Sequence, residues 1–291
     1  MMTRLAISTT MILGSLMAPA VEVRVTLTKV DDGDLKTKQL EAGGTWNYGV
    51  RQDDGFALLR SSVIRSSARA KPSDVTIQVD RSTIDQTMSG YGAALTDSSA
   101  YVLSQFKSTS PDLYAFTMKR LFSREDGAGF SVLRLAVGAS DYVATPGYFT
   151  CCDNESPDLG SFNIARDKQF IIPILKDAMR LNPEIRLIAT PWSAPAWMKT
   201  NGRLTGVSSN EKSRGATCRL KDDAFDPYAD YLIRFIEAYQ NEGIPIDSIT
   251  LQNEPQNDQS DYPCMRMDES DQIRLVKLLG PKLAGKSLKT R

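Results

Sequence analysis

Residues 248–263 read SITLQNEPQNDQSDYP, an apolar β-type run that ends in Asn253-Glu254-Pro255. A carboxyl held at a strand exit can serve as a proton donor if a half-buried setting raises its pKa. Cleavage of a glycosidic bond needs such an acid at the leaving oxygen, and a second carboxylate on the opposite side of the sugar carbon. Asn253 beside it can hydrogen-bond a sugar hydroxyl such as the 2-OH. Pro255 fixes the turn and biases Glu254 away from helix. The plainer reading is a loop glutamate that caps the next helix. Its place at the end of the fourth strand in a βα series favours the catalytic one.

Other residues share this kind of position. Trp192 and Trp197 lie in ATPWSAPAWMKTNGRLTG, and both belong to a set of only three tryptophans. Indole faces stack on the apolar faces of sugar rings, and the N–H can donate to a hydroxyl. Trp192, directly after the third strand, suits a pocket; Trp197, on a Pro-bounded loop, could equally be packing. Asp97 in GYGAALTDSSA follows the first strand and could grip two hydroxyls or cap the next helix. Arg134 sits inside the apolar strand SVLRLAVG, where a lone charge is costly unless paired. This suits a role beneath the site, holding a carboxylate ionised. Asp141 follows the second strand and is a weaker candidate. The chain has no histidine. His-based bases, Ser-His-Asp triads and His-ligated zinc are therefore excluded, and acid–base work falls to carboxylates, Lys, Tyr or Cys.

These residues need elements to hold them. The stretches TMSGYGAALTD, FSVLRLAVGAS, EIRLIATPWSAP and DSITLQNEP read as strands. SPDLYAFTMKRLFS, KQFIIPILKDAMRL, DPYADYLIRFIEAYQ and DESDQIRLVKLLGPKLAG read as helices. In the first helix Leu113, Phe116, Met118, Leu121 and Phe122 recur at near-helical spacing, with Ser110 as N-cap and Pro111 at N1. In the third, Tyr231, Leu232, Phe235, Ile236 and Tyr239 form one stripe. Strand–helix alternation implies βαβ units and a parallel sheet, either an open doubly wound sheet or a (β/α) barrel. The first loop lacks GxGxxG, and polar or aromatic residues stand at all four strand exits. Exits that converge on one mouth favour the barrel.

The chain has 291 residues, 41% apolar and 24% charged, with equal numbers of basic and acidic side chains. The balance carries no global bias toward nucleic acid or anionic membrane. Residues 1–20 read as a signal peptide: Arg4, an apolar run from Leu5 to Met17, then Ala18-Pro19-Ala20. This implies export, to the outside or to a lysosomal or vacuolar lumen, and the run is too short for a transmembrane segment. Residues 21–80 read as short β pieces, VEVRVTLTKV, GFALLRSSVIRSS and DVTIQVD. Residues 81–291 carry the βα series. Cys151, Cys152, Cys218 and Cys264 make an even set, which in an exported protein suggests disulfides with three possible pairings. Asn154-Glu155-Ser156 is a glycosylation sequon followed by Pro157.

The segments GYGAALTDSSA, SVLRLAVGASDY, ATPWSAPAWMKTNG, LQNEP and LGPKLAG resemble, in order and spacing, the enzymes of glycoside hydrolase family 30. The resemblance covers about residues 84–285 and is closest to the glucosylceramidases (acid β-glucosidases). It implies a (β/α)8 TIM barrel with a side β-sandwich, to which residues 21–80 would belong. It also implies retaining hydrolysis of a β-glycoside: glucosylceramide at a membrane surface first, or a β-1,6-glucan as the alternative, with no cofactor, metal or nucleic acid. By this resemblance Glu254 is the acid/base, Asn253 binds the 2-OH, and Asp97 and Trp192 bind glucose. Four βα units are half a barrel. The family's nucleophile ends the seventh strand, beyond Arg291, and no acidic residue here takes its place. The expectation is a truncated chain, inactive by itself, that at most binds sugar.

Overall fold

The computed structural model describes residue 84 and residues 86–291, apart from 145, 146 and 287, together with the backbone of four strands nearer the N-terminus. The chain divides into two compact units, Met1–Asp85 and Gln86–Arg291. In the first, β1 (Ala6–Thr10), β2 (Glu22–Thr28), β3 (Trp46–Asn47) and β4 (Arg60–Arg65) form an antiparallel sheet of order β1-β2-β4-β3. The strand expected at DVTIQVD and the cleavage site at Ala18-Pro19-Ala20 lie outside the described residues.

In the second unit β5 (Gly92–Ala94), β6 (Val132–Val137), β7 (Arg186–Pro191) and β8 (Ser248–Ile249) are all parallel, in the order β5-β6-β7-β8. Each strand pairs with the next in sequence, always in one direction. A doubly wound sheet reverses that order at a switch point, whereas a barrel does not. Helices α1 (Asp97–Thr109) and α2 (Pro111–Phe122) join β5 to β6, and α3 (Ala165–Gln169) and α4 (Ile171–Leu181) join β6 to β7. Helices α5 (Ser209–Lys212) and α6 (Phe225–Asn241) join β7 to β8, and α7 (Glu269–Ala284) follows.

The core forms where apolar strand faces meet helix stripes. Leu133, Leu135, Leu187 and Ala189 of the sheet are buried with Ile174 and Leu175 of α4 and the whole expected α6 stripe. Three local expectations are corrected. Leu113 and Phe116 are 47% and 39% exposed; α2 buries Tyr114, Met118 and Phe122 instead, because these lie four residues apart. Ser110 stands at the N-cap of α2 without a side-chain bond. The single helix expected over 168–181 is broken at Phe170. Pro173 has no N–H to give to residue 169, so a new helix must start just before it.

Gly92 lets β5 approach β6, since a Cβ there would lie 1.7 Å from the Val132 carbonyl oxygen. Strand β8 is prolonged by bonds from Thr250 N–H to Ala189 O (2.9 Å) and from Asn253 N–H to Pro191 O (2.8 Å). Three residues on the β8 side therefore answer two on β7, a one-residue bulge directly before Asn253-Glu254. Bulges turn a strand end and re-aim its side chains. Beyond β8, the Arg291 N–H bonds Asp247 O (2.9 Å) and the Ile249 N–H bonds Arg291 O (3.0 Å).

Candidate active site

Arg134, on β6, ties three strand ends together. Its Nε donates to Thr190 Oγ1 on β7 (3.2 Å) and its Nη2 to Asn253 Oδ1 past β8 (2.6 Å). Its guanidinium lies 4.5 Å from the centre of the Trp192 ring. The charge costs less than a lone buried one because bonds and a ring face surround it. Burial lowers the Arg134 pKa, while Asp141 and then Glu254 act in the opposite sense. The expected pairing with a carboxylate is thus electrostatic in character, and the direct bond goes to an amide. A guanidinium only donates, so it fixes Oδ1 of Asn253 as acceptor and leaves Nδ2 to donate. That is the polarity a sugar hydroxyl oxygen needs.

Trp192 follows β7 directly and is 7% exposed. One face is covered by Arg134, and the carbonyl accepts from Gln252 Nε2 at 2.7 Å. The ring therefore forms a floor beside Asn253 more than an open platform.

Glu254 is exposed, not half-buried as expected, with φ of 44° in the left-handed region. A non-glycine residue there stores strain and tends to mark sites where a side chain must be aimed. Pro255 keeps it from right-handed helix, but the bulge and the turn, closed by Asn257 N–H to Glu254 O (2.8 Å), select the left-handed alternative. Its Oε2 accepts from Asn257 Nδ2 (2.9 Å) and from the Tyr262 hydroxyl (3.3 Å). Asn257 Nδ2 also reaches Tyr262 Oη at 3.0 Å. Two donors orient Oε2. Tyr262 has a raised pKa, first from desolvation and also from Glu254 and Asp141, which keeps the phenol protonated as a donor. Asp141, exposed on the loop after β6, thus shares the electrostatic surroundings of Arg134, Tyr262 and Glu254.

Two expected residues do other work. Asp97 is buried at the first position of α1, and the cap is Thr96, whose Oγ1 accepts from Ser99 N–H (3.1 Å). Both Asp97 oxygens are engaged: Arg166 donates bidentately at 2.8 and 2.9 Å, and Ala144 N–H donates at 2.9 Å. The cap reading is thus corrected to Thr96, and the Asp97 carboxylate is paired with Arg166. Arg166 is 69 residues away, so no local pattern announces it. Trp197 lies in a short 3-10 turn, packs on the core and donates Nε1 to Cys152 O at 2.9 Å.

Sequence reasoning passed over Tyr262, Asn257 and Lys199. The first two sit on the loop that follows Glu254, and a phenol eight positions on was a usable signal. Lys199 is fully buried, and its Nζ donates to Ser193 Oγ (2.9 Å), Leu204 O (2.8 Å), Thr205 O (3.3 Å) and Cys264 O (2.7 Å). Burial lowers its pKa to about 8. It pins the loop after β7 to the loop after β8. Among the described residues no cluster of His, Cys, Asp and Glu could hold a metal ion, and no helix is long and apolar enough to cross a membrane.

The sequence matches the glycosyl hydrolase family 30 TIM-barrel domain over residues 88–290. It is 32% identical over 213 residues to an endo-1,6-β-D-glucanase of Aspergillus fumigatus, covering 70% of this chain and 43% of the relative. It is also 32% identical over 206 residues to putative glucosylceramidase 3 of Caenorhabditis elegans, covering 69% and 37%. A solved endo-β1,6-glucanase structure superposes with a TM-score of 0.66 at 32% identity, covering 80% of this chain and 49% of that one. The chain spans somewhat under half the length of these relatives. With a family match over most of the βα unit and that unit's parallel strand order, the chain belongs to glycosyl hydrolase family 30.

Proposed function

We propose that Glu254 is the general acid/base of a retaining β-glycosidase and that the substrate is a β-1,6-linked glucan. The observation that carries the first part is the carboxyl at the bulged exit of β8, with Oε2 held by Asn257 and Tyr262. Beside it Asn253, fixed by Arg134, is oriented to donate to the 2-OH. In this reading Glu254 protonates the leaving oxygen while a second carboxylate attacks the anomeric carbon. Glu254 then takes a proton from the water that releases the sugar. The second carboxylate, at about 5–5.5 Å from the first in a retaining site, comes from the seventh-strand position of the family.

The glucan is favoured by the rim. Among the described residues, the large hydrophobic side chains exposed on the strand-exit loops are Tyr142 and Tyr148, 63% and 37% exposed. Phenol rings stack on sugars and hydrogen-bond their hydroxyls, whereas acyl chains call for contiguous aliphatic surface. Tyr148 is braced through its hydroxyl to Asp261 O at 2.9 Å, on the same loop as Tyr262. Glucosylceramide, the first expectation from sequence, is the competing reading, and similarity to a putative glucosylceramidase supports it. The test is hydrolysis by the full-length protein of a linear β-1,6-glucan and of glucosylceramide in detergent micelles. We expect kcat/KM for the glucan to exceed that for the lipid by at least about tenfold, which is ~1.4 kcal/mol of transition-state discrimination. The reverse preference would assign the lipid.

A further inference from the structure

Of the four cysteines, all buried thiols, two have polar neighbours. Cys151 N–H donates to the Tyr231 hydroxyl at 3.2 Å, and Cys152 Sγ lies 3.2 Å from Ser161 Oγ. Cys218 and Cys264 instead face each other. They form a small buried cluster with Val207, in which Cys264 Sγ donates to Gln259 O at 3.1 Å.

The backbone around them is already laced. Arg266 N–H bonds Cys218 O (3.2 Å) and Cys264 N–H bonds Leu204 O (3.2 Å), with a bridge between Thr205 and Pro263. Gly206 allows this contact, since a Cβ there would lie 2.2 Å from Asp258 O. Backbones paired in this way bring Cα atoms into the range a disulfide spans, about 4.4–6.8 Å. Lys199, whose Nζ bonds Cys264 O, places a positive charge beside both sulfurs, which favours a thiolate at Cys218, while contact with Cys218 and burial raise the Cys264 thiol.

We propose that Cys218 and Cys264 close as a disulfide that staples the loop after β7 to the Glu254-bearing loop after β8. The oxidant is a disulfide-bearing compound such as oxidised glutathione or an oxidoreductase. The Cys218 thiolate attacks one sulfur of that disulfide and releases the first thiol. The Cys264 thiolate then attacks Cys218 Sγ, breaks the mixed bond and releases the second thiol. Two protein thiols lose two electrons and two protons, and the oxidant leaves as two thiols. Contact with Cys264 and the Lys199 charge hold Cys218 below the ordinary thiol range, which suits the attacking role, whereas burial pushes the Cys151 thiol well up. Exposures of 0% and 2% for Cys218 and Cys264 mean that the bond closes as the loops come together and is afterwards shielded from reductants. None of this depends on the glycosidase reading.

The experiment is alkylation of the full-length protein, folded in a glutathione redox buffer, under denaturing but non-reducing conditions, followed by peptide mapping. The expected result is one cross-linked peptide pair joining Cys218 to Cys264, lighter by two hydrogens, with Cys151 and Cys152 alkylated. Alkylation of all four residues, or a cross-link that uses Cys151 or Cys152, overturns the proposal. A second measurement is independent of the mapping. Reductant added during thermal unfolding should lower the wild-type Tm by roughly 5–15 °C. It should leave the Cys218→Ser/Cys264→Ser variant unmoved. An equal drop in that variant also overturns the proposal.

Discussion

Glu254 shows how a single carboxyl is held in place by neighbours rather than by burial. It is exposed, its backbone is left-handed, and one carboxylate oxygen is fixed by an amide and a phenol. The places of Glu254, Asn253, Trp192 and Arg134 in or after the barrel strands were legible in the sequence, because each lies in or at the end of an apolar run. The partner of Asp97 was not legible. The Asp97 carboxylate is satisfied by Arg166, and pairing over that separation is a property of the fold. Another carboxylate, Asp167 on α3, is buried and accepts from the Tyr239 hydroxyl at 2.7 Å. Desolvation raises its pKa to about 7, with Asp97 adding in the same sense and Tyr239 and Arg166 opposing. The folded state therefore binds a proton more tightly than the unfolded one. The stability this group contributes is full below the unfolded carboxylate range and is lost as pH rises through about 7. Asp167→Asn should remove that loss. Unfolding free energies measured from pH 4 to 8 should show the variant gaining on the wild type as pH rises. A constant difference across the range would contradict the assignment.

Among the elements, periodicity identified the four barrel strands and the longest helices, and α6 buries the stripe its spacing announces. Periodicity could not see breaks that depend on one missing donor, as at Pro173, or a bulge that depends on which carbonyl of β7 is met. Nor could it see that the loops after β7 and β8 are one structure, held by Lys199 in a cage of oxygens. A lysine in PAWMKTNG gives no hint of burial. Lys199→Met keeps much of the volume but leaves three carbonyls and a hydroxyl short of a donor. Unpaired buried acceptors cost about 1–3 kcal/mol each, which outweighs relief from desolvating one ammonium. We expect Lys199→Met to lower the unfolding free energy by about 3 kcal/mol, read as a lower urea midpoint at unchanged slope. A variant as stable as the wild type would show that the cage contributes nothing net.

At the scale of the whole molecule, the one-directional strand order β5-β6-β7-β8 gathers the exits of β6, β7 and β8 around a single site. Barrel architecture was legible from strand–helix alternation and from polar residues at the exits. Which side chains the rim exposes was not, because the exposure of Tyr142 and Tyr148 is set by how the loops fold. The measurement that bears most directly on Glu254 as acid/base is chemical rescue in the full-length protein. Glu254→Ala should turn over an activated aryl β-glycoside accepted by the wild type only slowly, because the base for the second step is gone. Added azide, a nucleophile that needs no base, should restore turnover and give a glycosyl azide of retained β configuration. If azide neither accelerates the variant nor appears in the product, Glu254 is not the acid/base.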